Sequence, residues 1–296
     1  MTDLKHFFIS HIPFRYNAPM NSISEMFKEY SFRPRKSAGQ NFLADTKILD
    51  QIEEVVQCPL GDILLEVGGG YGALTERLAK KDRPLIVVEP DHKLFAMLER
   101  KFGPNPNVAL IKADILKLDI GSKAPPLPGK ITLAGNIPYY LTTPLITRLL
   151  TQYNGSVRKI YLMIQKEVAD RMGANPGTKA YGALTLCAQY YSKVTKRIDV
   201  PAKSFRPRPK VDSAFIEIEI KETFPLSGDT EKRFFALVRS IFQSRRKMLS
   251  NSLKSLGKPV EQVDAALKKL SIDPQIRGEK LDIEVMMKLT QALEQP

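Results

Sequence analysis

A series of short, wholly apolar runs, each separated from the next by a stretch of helical periodicity, constrains this chain more than any other feature. "DILLEV" (Asp62 to Val67), "PLIVVE", "NVALIKAD", "KITLAG" and "KIYLMIQ" each hold a compact apolar run. Between and around them, "TKILDQIEEVVQ", "ALTERLAKK", "KLFAMLERKF" and "PLITRLLTQY" place apolar residues at helical spacing. Strands that are apolar on both faces and alternate with helices describe a parallel sheet covered on both sides. "ALTLCAQYYSKV" reads as a further helix, and "SAFIEIEI" alternates strictly, as a half-buried strand does late in a sheet. The fold class is therefore α/β and Rossmann-like. At 296 residues the chain exceeds one comfortable core, which implies a second, smaller domain. Pro225 and Gly228 break the pattern, and beyond them only helical periodicity remains. The expected organisation is a poorly ordered extension over 1–32, the α/β domain over 33–225, and an all-helical domain over 226–296.

The turn after the first strand, "EVGGGYGALT", places Gly68, Gly70 and Gly72 between strand and helix. Such glycines let the backbone turn tightly and approach a ligand, with free helix N–H groups behind. Glu89 ends the next strand, 21 residues after Gly68, where a carboxylate accepts ribose hydroxyls. Asp114 ends the third strand and is placed to accept from an adenine amino group, or simply to cap the following turn. The spacing is G-x-G-x-G rather than the G-x-G-x-x-G suited to a dinucleotide pyrophosphate. S-adenosylmethionine, an adenosine without phosphates, fits this site better than NAD.

The fourth strand delivers "AGNIPYYLTTP". The amino nitrogen of adenine is a poor nucleophile because its lone pair is delocalised into the ring. Acceptors at its two hydrogens pull it towards a tetrahedral form. The Asn136 side chain and the Ile137 carbonyl supply two acceptors, and Pro138 fixes the turn that aims them. Tyr139 supplies a ring on which a base can stack. The competing reading is a simple Asn-Pro turn with packing aromatics.

The formal net charge of +13 points to a polyanionic partner, and the lack of a long basic amphipathic helix favours nucleic acid over a membrane surface. No apolar run approaches the roughly 20 residues of a membrane span. Cys58, Cys187 and three histidines show no ligand spacing, so no metal site and a reduced compartment are expected. The N-terminus lacks a clean apolar segment for secretion, and Asp3, Glu25 and Glu29 argue against a mitochondrial leader.

"SFRPRPKVDS" adds Phe205, Arg206, Arg208 and Lys210 on a proline-stiffened loop. Phe205 is a candidate for the second face of a flipped adenine, with core packing as its alternative. From Lys203 to Lys258 there are thirteen Lys or Arg against six Asp or Glu, a local excess of seven. Within it "SRRKM" offers Arg245, Arg246 and Lys247 to phosphates, or forms a solvated face. "RPRK" (Arg33 to Lys36) precedes "GQNFL" and is suited to guiding a polyanion.

"GQNFL", "EVGGGYGALT", "GNIPY", "QKEVADRM", "YGALTLCAQYY", "FRPRPKVDSAF" and "QSRRKMLSNSL" occur in the order found in the ribosomal RNA adenine N6,N6-dimethyltransferases, and the chain resembles that family over about residues 33 to 290. "RGEKLDIE" and the helical C-terminal part are similar to the bacterial members acting on small-subunit (16S) RNA. The resemblance implies a seven-stranded class I methyltransferase core and S-adenosylmethionine as cofactor. It implies that Asn41 and Leu43 border the cofactor pocket with Gly68, Gly70, Glu89, Asp114 and Asn136. Its implied product is N6,N6-dimethyladenosine at two adjacent adenosines near the 3′ end, made on an immature ribosomal particle in the cytoplasm. A monomer is expected. Two positions depart from the family pattern: Gly69, where proline is common, and Tyr140, where asparagine is frequent.

Overall fold

The structure is a computed structural model that describes residues 23–35, 39–81, 83–121, 129–243, 245 and 247–294. The elements run α1 (Ile23–Glu29), β1 (Phe42–Leu43), α2 (Thr46–Val55), β2 (Ile63–Val67), α3 (Ala73–Leu78), β3 (Leu85–Val88), α4 (His92–Phe102), β4 (Val108–Ile111), β5 (Ile131–Asn136), α5 (Tyr139–Gln152), β6 (Val157–Gln165), α6 (Lys166–Met172), α7 (Ala183–Tyr191), β7 (Ser192–Val200), β8 (Phe205–Arg206), β9 (Ser213–Ile220), α8 (Gly228–Gln243), α9 (Leu249–Lys254), α10 (Val260–Lys269) and α11 (Ile283–Ala292). They fall into two compact units, one of residues up to 169 with 195–220, the other of 170–194 with 221 to the end.

The first unit is built on a seven-stranded sheet of order β4-β3-β2-β5-β6-β9-β7. β2 pairs in parallel with β3 on one side and β5 on the other, β6 continues in parallel, and β9 returns antiparallel. The chain winds outward from β2 to β4, then restarts at β5 on the opposite side. A crevice therefore opens between the carboxyl ends of β2 and β5, where open α/β sheets bind ligands. All five residues of β2 and all four of β3 are buried, which explains their unbroken apolar runs. A second, two-stranded sheet pairs β1 with β8, Phe42 opposite Arg206 and Leu43 opposite Phe205.

Three expectations differ from what is observed. The helix read as "ALTLCAQYYSKV" ends at Tyr191, and Ser192 starts β7, whose exposed Lys193, Lys196 and Arg197 suit a sheet edge. A strand with so little apolar content carries almost no period-2 signal. α5 begins at Tyr139 rather than Pro144, which lies inside it and removes only the donor for the Tyr140 carbonyl. The segment read as extension contains α1, and Phe27 and Phe32 pack edge-on against Phe42, with ring centroids 5.2 and 5.9 Å away. Arg100 pairs with Glu29, and the Lys93 ammonium donates to the Ser31 carbonyl at 3.0 Å.

The second unit gathers α8 to α11 with residues 170–194, so the helical unit also draws on residues before 226. Residues Phe234, Leu237, Val238 and Ile241 of α8 form one buried stripe at helical spacing. Tyr190 stacks on Phe234 and Tyr191 on Phe235, and Glu231 accepts both tyrosine hydroxyls. No helix of the described residues is long and apolar enough to cross a membrane.

Between β2 and β6, Gly135 leaves no room for a side chain: a Cβ there would lie 2.5 Å from the Val67 carbonyl oxygen. Gly173, by contrast, has nothing within 4 Å of the same point. Gly135→Ala is expected to lower unfolding free energy by roughly 1–3 kcal/mol or more, while Gly173→Ala stays near wild type. Urea titration of the two variants checks the contrast.

Candidate active site

The crevice is a cavity of about 250 Å³ walled by "GQNFL", the glycine turn, the ends of β3 and β5, and Asp114. Every residue expected to hold the cofactor lies on this wall: Asn41, Leu43, Gly68, Gly70, Glu89, Asp114 and Asn136. Gly68, Gly70 and Gly72 all adopt positive φ, at 75°, 56° and 89°. A Cβ on Gly70 would sit 3.3 Å from the Phe42 ring, so the turn and "GQNFL" are pressed together.

Glu89 is almost fully buried, and its two carboxylate oxygens accept from the backbone N–H of Gly70 (2.9 Å) and of Asp91 (2.8 Å). Burial raises its pKa, and those two hydrogen bonds oppose the rise. Each oxygen keeps one further lone pair, enough for a pair of hydroxyls. Asp114 combines both of its readings. One oxygen accepts from the Leu116 N–H at 3.0 Å and so caps the turn, while the half-buried side chain faces the cavity.

Asn136 is held by a long-range contact. Its Nδ2 donates to the Asn41 backbone carbonyl at 3.2 Å, and Asn41 Nδ2 in turn donates to the Gly39 carbonyl at 3.2 Å. One amide hydrogen of Asn136 is so engaged, and the residue lines the cavity. Ile137 and Pro138 also wall the cavity. Tyr139 does not line the cavity; it is half-buried with its hydroxyl 2.8 Å from Ser213 Oγ, and burial raises its pKa. The Leu43 carbonyl accepts the Tyr71 hydroxyl at 2.6 Å, fixing the other end of "GQNFL".

Two candidate contacts need correction. Phe205 is 1% exposed and belongs to the hydrophobic core cluster, because its strand β8 pairs with β1 and turns the ring inward. It has no free face for a base. Arg245 is committed to Glu279 (2.8 Å) and to the carbonyls of Lys179 and Thr178, which neutralises it and ties down a loop. Arg206, Arg208, Lys210 and Lys247 are exposed as expected. Arg206 also donates to the Lys203 and Phe205 carbonyls. Arg246 and Lys36 lie outside the described residues.

Glu66 was not singled out by its sequence context, although a carboxylate inside the apolar run "DILLEV" is the signal. It is buried on the cavity wall, and its Oε2 lacks a hydrogen-bond partner among the described residues. Burial, reinforced by the Glu89 charge, pushes its pKa up to about 8.

A family model for "Ribosomal RNA adenine dimethylase" matches residues 31–295. The chain belongs to the ribosomal RNA adenine dimethylase family. It is 40% identical over 274 residues to the "Ribosomal RNA small subunit methyltransferase A" of Alkaliphilus oremlandii (strain OhILAs), covering 91% of this chain and 95% of that protein. The protein of the same name from Geobacillus kaustophilus (strain HTA426) is 40% identical, over 91% and 94% of the two chains. Among solved structures, a dimethyladenosine transferase from Plasmodium falciparum superposes with a TM-score of 0.71 at 28% identity, covering 84% of this chain and 95% of that one. The 23S rRNA methyltransferase ErmE gives 0.66 at 27%, covering 86% and 100%. The family member described here is an S-adenosylmethionine-dependent rRNA adenine dimethyltransferase. Its cavity fits that cofactor in chemistry: apolar side chains and the backbone of Gly68 and Gly70 share the wall with the oxygen-bearing Glu89, Asp114 and Asn136.

Glu66 generates a test of its own. The folded chain holds a proton between about pH 4.5 and 8 that the unfolded chain has released, so this residue's contribution to stability falls as pH rises through that window. Glu66→Gln is expected to remove that decline. Because Glu89 shifts in the same direction, the quantity to measure is the difference in unfolding free energy between the two proteins across the window. A difference independent of pH would show that Glu66 ionises normally.

Proposed function

We propose that this enzyme transfers methyl groups to N6 of two adjacent adenosines near the 3′ end of small-subunit (16S) rRNA, giving N6,N6-dimethyladenosine. The observation that carries the reading is the Asn136 amide, tied to the Asn41 carbonyl on the cavity wall. The small-subunit names of relatives 40% identical over nine-tenths of the chain support the choice of RNA.

Glu89 holds the ribose hydroxyls of S-adenosylmethionine and Asp114 its adenine amino group, with Gly68, Gly70, Asn41 and Leu43 as the wall. The cofactor supplies an electrophilic methyl group on a sulfonium. On the substrate side, Asn136 Oδ1 and the Ile137 carbonyl hold the two hydrogens of the target amino group and localise its lone pair. Pro138 fixes their direction. Tyr139, steadied through Ser213, gives the target base a ring to stack on once it has left its own stack. No strong base is needed to form the bond, so alignment carries the catalysis.

Arg206, Arg208 and Lys210 on the loop before β9, and Lys247 and Arg246 in the helical unit, contact phosphates. That unit serves as an RNA-docking domain. The substrate is an immature small-subunit particle, and the enzyme works as a cytoplasmic monomer without metal or membrane.

Two experiments test this. Unmodified small-subunit particles incubated with the enzyme and S-adenosylmethionine should yield N6,N6-dimethyladenosine by nucleoside mass spectrometry. Asn136→Ala should lower the rate by roughly 100-fold or more. Asn136→Asp should fall as far, since it keeps an acceptor but cannot donate to the Asn41 carbonyl; near-normal activity of Asn136→Asp would sink the clamp. Separately, Arg208→Ala with Lys210→Ala should flatten the log–log salt dependence of particle binding by roughly 1.5. An unchanged slope would make this loop a solvated surface.

A further inference from the structure

Four aromatic residues wall the cavity, and three of them are structural. Phe42, Tyr71 and Phe215 are buried in the core cluster. The fourth, Tyr140, is 64% exposed. Its ring lies beside Gly39: a Cβ on that glycine would be 3.7 Å from Tyr140 Cδ1 and 3.4 Å from Pro138 Cβ. Among the described residues its hydroxyl has no hydrogen-bond partner. A large apolar ring is thus held against backbone on one side and open on the other, at the mouth of the cavity.

Tyr139 and Tyr140 are consecutive residues at the start of α5. Side chains one residue apart on a helix diverge by roughly 100° and do not face each other. They cannot sandwich a single base. When a target adenosine leaves its stack, the base next to it loses a stacking partner and exposes a π face to water. That face needs an apolar cover close to the catalytic loop, and the buried position of Phe205 keeps it from serving.

We propose that Tyr140 is a second nucleobase-stacking site, which receives the unstacked face of the nucleotide adjoining the target adenosine. The proposal rests on the RNA reading of the preceding subsection. Tyr139 holds the base that reacts, and Tyr140 holds the gap it leaves open. Stacking is sequence-tolerant, so this site fixes the position of the strand rather than its sequence.

A double-mutant cycle tests it. Reconstituted unmodified small subunits carry either the normal nucleotide or an abasic one beside the target adenosine, and kcat/KM is measured for wild type and Tyr140→Ala. Either change alone should cost about 5- to 150-fold, expressed mainly in KM for the particle, and the abasic change should cost Tyr140→Ala little more. Tyr140→Phe, which keeps the ring, should restore both the rate and the abasic penalty. Calorimetric affinity for S-adenosylmethionine should be the same in all three proteins. Multiplicative losses would overturn the proposal and leave the methylation reading intact. Weaker S-adenosylmethionine binding by Tyr140→Ala with a full abasic penalty would also overturn it, making Tyr140 part of the cofactor wall. If wild type does not methylate the normal particle, the RNA reading itself fails and takes the proposal with it.

Discussion

The parallel register between β2 and β5 sets everything at the active end of the sheet. Val67 stands opposite Gly135, so the glycine turn after one strand and the Asn136 loop after the other emerge side by side. The pairing is close: a Cβ on Gly135 would lie 2.5 Å from the Val67 carbonyl oxygen. A shift of one residue would carry Asn136 away from the glycine turn. The chemistry of this family is thus anchored in a ladder of backbone hydrogen bonds, with the side chains hung from its end.

Charge follows a similar division of labour. Two buried carboxylates of the first unit have structural work: Glu89 joins the glycine turn to the start of α4, and Asp62 holds Arg158 at 2.5 Å. Basic residues divide by position rather than by sequence neighbourhood. Arg245 is absorbed into its own fold, whereas Arg208 and Lys210, on a loop with few internal partners, stay exposed. A run of positive charge in the sequence therefore overstates the charge that a polyanion meets.

Much of this could be read without coordinates. Strands buried on both faces write continuous apolar runs, so β2 to β6 were legible, and so were the glycine turn and the carboxylates at the strand ends. What escaped has physical causes. β7 is an edge strand whose only apolar residues, Val194, Ile198 and Val200, are scattered among lysines, an arginine and other polar residues. Helix α1 is short, and its place depends on Phe27 and Phe32 meeting Phe42, which no local pattern encodes. Phe205 was ambiguous because its loop is polar, while its burial follows from pairing with a strand more than 150 residues earlier. The same pairing concealed how Asn136 is held, since the carbonyl of Asn41 is a backbone group that any residue type would provide.

The small β1–β8 sheet also has a temporal meaning. It joins Phe42 and Leu43 to Arg206 and Phe205, and the neighbouring Ala44 N–H reaches the Ser204 carbonyl at 2.9 Å. The wall that carries Asn41 therefore has no partner strand until synthesis has passed Arg206. On a ribosome, which adds about 5–20 residues per second, the last of the parallel strands β2 to β6 is made about 2–8 s before that wall can close. The parallel part of the scaffold precedes the cofactor site in time, and a chain stopped short of β8 would own the five parallel strands without β9 or the clamp.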